Sequence, residues 1–246
     1  MRTIGLLGGM SWESSIEYER IINTEVRDRL GGANAADLLI RSYNFHEIER
    51  QQMAGEWEAM GALLAEDAGK LEAAGADVIV LCTNTMHKVA DHIEKALTTA
   101  DFIHLGDTTA DAVNAAGVTT VGLLGTRYTM EQNFYRDRLT DNGLTVLVPD
   151  EPDRTAVHDI IFEELVQGVV SPASKAIYLE VVERLAARGA TGIIAGCTEI
   201  ELLISDQDVD MPYFPTAALH AIAAVDAALR TDAATSDQEG NSDEEQ

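Results

Sequence analysis

The sequence predicts an α/β protein made of two pseudo-symmetric parallel-sheet α/β domains, with the active site in the cleft between them. Strand-like apolar runs alternate with amphipathic helical runs, the pattern of a parallel α/β sheet. Three segments recur in the same order in the two halves, and Gly closes the helical runs. The strand-like runs of the first half are TIGLLG, ADLLIRSYNF, ADVIVLC and FIHLGD. Those of the second are TTVGLLG, LTVLVP, TGIIAG and MPYFPT. Between them lie helical runs such as WEAMGALLAEDAGKLEAAG and ASKAIYLEVVERLAARG, with apolar residues at helical spacing.

The recurring segments define the repeat. IGLLGG (Ile4 to Gly9) parallels VGLLGT (Val121 to Thr126), and GADVIVLCTNT (Gly75 to Thr85) parallels GATGIIAGCTEI (Gly189 to Ile200). FIHLGDTTADAVNAA parallels YFPTAALHAIAAVDAA. The expected division is residues 1–110 with 211–230 as one domain and 111–210 as the other. Residues 231–246, acidic and without an apolar residue larger than Ala, are expected to be disordered. Duplicated α/β halves bring their strand C-termini around a shared cleft, where ligands bind.

Composition narrows the function. Asp and Glu number 42 against 17 Lys and Arg, a formal charge of -25. Such a surface repels nucleic acid and anionic membranes. No apolar run reaches membrane-spanning length, and the N-terminal run enters a strand without the pattern of a signal peptide. A cytoplasmic protein is expected. Two cysteines are too few for a disulfide scaffold, and the 6 histidines show no metal-ligand spacing. Acid enrichment along the whole chain, with lysine only at 70, 88, 95 and 175, suits concentrated salt, where self-repulsion is screened.

The two cysteines look equivalent, in LCTNT and GCTEI, but the register separates them. Anchoring the copies at Gly75-Ala76 and Gly189-Ala190 places Cys82 on Gly196 and Thr83 on Cys197. Pairing Cys with Cys needs a one-residue gap inside a strand, which flips every later side chain to the other face. Cys197, with Thr198 and Glu199, therefore stands at a strand end where backbone N–H groups gather, a setting expected to lower a thiol's pKa. Thr83, Asn84 and Thr85 face it from the other half. Cys82 reads as a core thiol.

GLLGGMSWESS, NTMHK and GCTEI resemble the characteristic segments of the cofactor-independent aspartate/glutamate racemases, over nearly the whole chain to about residue 229. The resemblance implies two pseudo-symmetric domains, no cofactor and no metal. It further implies a small amino-acid substrate held between two acid–base groups; a homodimer is compatible with it. Inverting a stereocentre through a planar intermediate needs such groups on both faces, with directed N–H groups to steady the enolate-like carboxylate. The family's first Cys directly precedes Asn-Thr; here Thr83 holds that place. The resemblance thus implies Thr83 and Cys197 as the catalytic pair, with Cys197 deprotonating L substrates and the reverse direction impaired.

Met10, after GLLGG, and Gln52 are expected at the substrate with Asn84, Thr85, Thr198 and Glu199. Arg50 is either a candidate for a distal carboxylate or a solvated helix position, and Arg127, aligned with Met10, lies near the cleft or, in the favoured reading, takes a surface role. Trp12 and Trp57 read as packing residues, and His87 and His92 as a helix-face and a solvated residue. A hydantoin racemase-like or maleate isomerase-like enzyme, or a silent binding protein, fits the same residues. If the charge is a salt adaptation, molar KCl should raise the melting temperature well above its value in dilute buffer; an unchanged melt would leave only an ordinary acidic surface.

Overall fold

The computed structural model describes residues 1–230; the acidic segment 231–246 lies outside them. Two parallel four-stranded sheets carry the fold, ordered β2-β1-β3-β4 and β6-β5-β7-β8. The strands are β1 Ile4–Gly8, β2 Leu38–Ser42, β3 Val78–Leu81 and β4 Asp101–Ile103, then β5 Thr120–Gly125, β6 Thr145–Leu147, β7 Gly192–Gly196 and β8 Tyr213–Pro215. Each lies within one of the runs expected from the sequence except β4, which begins one residue before FIHLGD, at Asp101. In the first half the helices are α1 Trp12–Leu30, α2 Phe45–Ala54, α3 Trp57–Ala73, α4 Ala90–Ala96 and α5 Leu105–Ala115. In the second they are α6 Arg127–Glu131, α7 Asn133–Asp141, α8 Asp153–Glu163, α9 Pro172–Ala187, α10 Ile200–Leu203 and α11 Thr216–Leu229.

The halves repeat in detail. Helices α3 and α9 end in the same Schellman turn, with Gly75 and Gly189 each at φ 102°, a conformation that favours glycine. Gly75 N–H bonds Glu72 O and Ala76 N–H bonds Leu71 O; Gly189 and Ala190 repeat this on Ala186 and Leu185. Strand pairing then fixes the correspondence. Leu7 sits opposite Leu81 in one sheet, and Leu124 opposite Ala195 in the other. Counting on from Leu81 and Ala195, Cys82 corresponds to Gly196 and Thr83 to Cys197.

Alternation across each sheet sends these residues different ways. Ile4, Leu6, Val78, Val80 and Cys82 pack under Tyr18 and Ile22 of α1 and the alanines of α11. Leu7, Ile79 and Leu81 face Met60 and Leu64 of α3. In the second sheet Ile193, Ala195 and Cys197 share the face covered by α8 and α9. Cys82 is fully buried and its thiol bonds only the Val80 carbonyl, at 3.8 Å.

The domain division differs from the expected one at two elements. β8, in the segment assigned to the first domain, pairs with β7 of the second sheet. α11 after it does cover the first sheet. Conversely α5, whose first six residues fall in 1–110, packs Leu105 and Ala110 along with Val113 on Val121 and Leu123 of the second sheet. Each half thus lends its last helix to the other, an exchange invisible to strand and helix patterning.

Gly5 and Gly122 hold equivalent places where a helix presses on the sheet. A Cβ on Gly5 would stand 2.8 Å from Ile79 Cδ1 and 2.9 Å from Ala76 Cβ. At Gly122 the contacts below 3.0 Å are the mobile ends of Ile193 and Leu185. Gly5→Ala should therefore cost about 1–3 kcal/mol in urea unfolding, and Gly122→Ala less; the reverse order would contradict this packing.

Candidate active site

The C-terminal ends of β1, β3, β5 and β7 converge on one small cavity. It is lined by Met10, Gln52, Thr83, Asn84, Thr85, Cys197, Thr198 and Glu199, all eight residues expected there. Thr126 and a mainly apolar wall of Phe45, Ile161, Phe162 and Val166 complete it. Its free volume is about 30 Å³, room for water but not for an amino acid. Helices α2 and α8, which supply Phe45, Gln52, Ile161 and Phe162, must part for a substrate to enter.

Glu199 organises the site. Its Oε1 accepts from Ser11 and Ser14 hydroxyls, each at 2.7 Å, at the start of α1. Its Oε2 accepts from the Cys197 thiol at 2.9 Å and the Thr198 hydroxyl at 2.7 Å. The Ser14 and Thr198 hydroxyls also touch. Ser11 caps α1, accepting the Ser14 N–H, which is why the WESS sequence can begin a helix here. The counterpart runs the opposite way across the cleft. Thr85, equivalent to Glu199, bonds Thr126 Oγ1 at 3.1 Å, and Thr126 is the N-cap of α6. Each of these two loops is thus tied to a helix start in the other half.

Thr83 and Asn84 present free polar atoms to the cavity. Among the described residues Thr83 Oγ1 has no hydrogen-bond partner, while the Thr83 carbonyl is taken by His87 Nδ1 at 2.7 Å. Asn84 Nδ2 donates to Thr216 Oγ1 at 3.0 Å, but its buried Oδ1 has no partner among the described residues. A buried bare acceptor of this kind is costly unless a ligand meets it. Gln52 donates to Met86 Sδ at 3.2 Å.

Electrostatics overturns one expectation. The Cys197 thiol is held well above the usual cysteine range, not below it. Burial is the largest cause, followed by the charge and hydrogen bond of Glu199; the Glu199 backbone N–H opposes them. The four-residue helix α10 does not outweigh a carboxylate in contact with the sulfur. Further back, burial pushes the Glu201 carboxyl up to about 8.

Other expectations fail for steric reasons. Arg50 is exposed, pairs with Glu47 at 3.4 Å and does not line the cavity. Arg127 points to Glu131 at 3.7 Å. Among the described residues no Lys or Arg is in the cavity wall. Trp12 is 61% exposed rather than packed, whereas Trp57 lies under Lys88 Nζ at 3.8 Å. His87 is buried, not on an outer helix face. Ser14 and Thr126 were legible only in part: aligning the repeats puts Thr126 on Gly9 at the cleft, but Ser14 carries no such mark.

Known proteins resemble this chain in fold and sequence. A candidate Asp/Glu racemase from Yersinia pestis superposes with a TM-score of 0.87 at 51% identity, covering 94% of this chain and 100% of that one. An aspartate racemase homologue from Pyrococcus horikoshii gives 0.83 at 32% identity over 94% of this chain and 100% of its own. Among curated proteins, the broad specificity amino-acid racemase RacX of Bacillus subtilis is 23% identical over 227 residues, 87% of this chain and 93% of that protein. The family model described as Asp/Glu/Hydantoin racemase matches residues 7–229, and the chain belongs to that family.

Proposed function

We propose that the protein interconverts the L and D forms of aspartate, glutamate or both by proton transfer at the α-carbon, without a cofactor and with L substrates favoured. The observation that carries this reading is the pairing by register of Thr83 with Cys197, on equivalent loops of the two halves and in one buried cavity. Cys197 takes the α-proton of the L enantiomer; the Thr83 O–H bond breaks as its proton passes to the opposite face, and a water in the cavity re-protonates that oxygen, the replacement coming from the proton left on Glu199. Asn84 Oδ1, bare and buried, suits the substrate ammonium as an acceptor.

The thiol cannot act as a base while it keeps its own proton. Glu199 Oε2 stands at hydrogen-bond distance from Cys197 Sγ and can receive that proton. The S–H bond breaks, an O–H bond forms, and the new carboxylic acid donates back to the thiolate. Charge moves by one hydrogen bond within a buried site, so no net charge is created there. A separated thiolate beside an ionised Glu199 would be two like charges in contact. Thr83 has no such neighbour; a hydroxyl gives a proton more readily than it removes one from carbon, which is the basis for the preference for L substrates.

Incubation of L- and D-aspartate and L- and D-glutamate in deuterium oxide tests the reading. Cys197→Ala should abolish α-deuteration, and Cys82→Ala should retain most of it; equal loss in both would contradict the register. Thr83→Cys should raise turnover of the D enantiomers, because a thiol sheds its proton nearer neutrality. A hydantoin or maleate isomerase would leave these amino acids unlabelled, as would a binding protein.

Glu199→Gln gives a second, separate measurement. Removing the charge beside the sulfur favours the thiolate, so the pH profile of Cys197 alkylation by iodoacetamide, in a Cys82→Ala background, should move to lower pH. Deuteration should nevertheless fall about 100-fold or more, because the acceptor of the thiol proton is gone. An alkylation profile that stays in place would remove Glu199 from this role.

A further inference from the structure

Thr83 Oγ1 is held by no hydrogen bond of its own among the described residues, so its position depends on its backbone. β-branched side chains are stiff at χ1; fixing the Thr83 peptide therefore fixes its hydroxyl. That peptide is held from behind the cavity by His87. The His87 Nδ1 lies 2.7 Å from the Thr83 carbonyl oxygen. Its Nε2 meets the Leu105 amide N–H at 3.2 Å. A carbonyl only accepts and an amide N–H only donates, so the ring proton must be on Nδ1 and Nε2 must be bare.

The surroundings keep the ring in that form and pose. Burial, then the neighbouring His104 and His220, and finally Arg138 push His87 well below the usual histidine range, against the opposing pull of the Thr83 carbonyl. The His104 and His220 rings are 4.7 and 5.6 Å away, centroid to centroid. His220 is itself pinned between the Tyr18 hydroxyl at 2.9 Å and the Ile103 carbonyl at 2.7 Å. The donor of the second bond, Leu105, opens α5, the helix that lies on the second sheet. There Tyr135 donates to Thr109 at 3.2 Å, and Arg138 grips both Asp107 oxygens at 2.6 Å. The imidazole is a strut from a helix seated on one half to the peptide of Thr83 in the other.

We propose that His87 is the positioning residue for Thr83: in its Nδ1–H form it sets the hydroxyl that delivers a proton to the substrate and ties that setting to α5 on the opposite half. This rests on the racemase reading above. It predicts damage to one half of the reaction rather than to both. Cys197 can still remove the α-proton of an L substrate when Thr83 is displaced, but inversion fails.

Two substitutions separate the bonds of the imidazole. In His87→Asn the side-chain NH₂ takes the place of Nδ1–H and can still donate to the Thr83 carbonyl, while the acceptor for Leu105 is lost. In His87→Gln the amide oxygen reaches toward Leu105, while the donor to Thr83 is lost. The readout is the ratio of D product formed to deuterium exchanged into the remaining L-aspartate or L-glutamate, with a thermal melt of each variant. His87→Gln should lower that ratio about tenfold or more, a loss expected from a displacement well short of 1 Å. His87→Asn should stay within about twofold of the parent even where its melting temperature falls. A proportional loss of exchange and inversion in His87→Gln, or an equal fall of the ratio in both variants, would overturn the proposal. The tautomer is decided independently of activity by ¹⁵N NMR at neutral pH, with His87 assigned by its absence in His87→Asn. A protonated Nδ1 and a bare Nε2 are expected. The opposite tautomer would overturn the proposal even in an active enzyme, whereas a parent that neither exchanges nor inverts contradicts the racemase reading and leaves the tautomer to decide this one.

Discussion

A buried carboxylate, Glu199, fastens the two halves at the place where chemistry is possible. Four donors converge on its two oxygens, two from the start of α1 and two from its own loop. Hydrogen bonds to a charged group contribute about 1.5–3 kcal/mol each, and leaving such a group unpaired costs more. The first-half serines are therefore not interchangeable with other helix starters. Removing them would strand a carboxylate inside the cleft. The same acid sits against the Cys197 sulfur, so the interaction that closes the interface adds to burial in holding the proton on Cys197.

The mirror contact between Thr85 and Thr126 is neutral, and the difference matters. Both loops reach across to a helix N-terminus, but only one does so with a charge. A hydroxyl pair at 3.1 Å leaves the Thr83 side without an acceptor for a displaced proton. Thr83 is then anchored through its backbone by His87 rather than through its side chain. One loop is built around moving a proton and the other around holding still.

Much of this was legible in the sequence because period-2 alternation and Gly punctuation are local signals. Seven of the eight strands fall inside the expected apolar runs and β4 overlaps its own, and the paired glycines at 75 and 189 carry the register that separates Thr83 from Cys82. What the sequence did not carry depends on distant neighbours. The exchange of α5 and α11 is set by which sheet has an uncovered face, not by helix periodicity. A lowered thiol pKa was expected from a strand-to-helix turn; burial under α8 and α9, and then a glutamate folded back onto the sulfur, reverse it. Arg50 looked available for a distal carboxylate because its position on α2 is near Gln52, yet the two side chains leave the helix on different faces. His87 gave no sign at all, since a buried histidine and an exposed one have the same letter and the same spacing.

Repeated geometry with unequal side chains would give the proposed preference for one enantiomer a physical basis. Strand register puts Thr83 and Cys197 at equivalent places, so neither face of a bound substrate is favoured by backbone position alone. The inequality lies in the side chains and their partners: a thiol in contact with a carboxylate on one side, a hydroxyl with no acceptor on the other. The equilibrium between enantiomers stays at unity whatever occupies these positions, because a catalyst lowers the barrier equally in both directions at a given step. Any preference must therefore appear as different kcat and KM for the two enantiomers, compensating one another in kcat/KM. A site in which one group is a poor base can satisfy that constraint only by binding the enantiomer it serves more tightly relative to its slower turnover. The closed cavity, tight around water, is where such a difference in binding would have to be made.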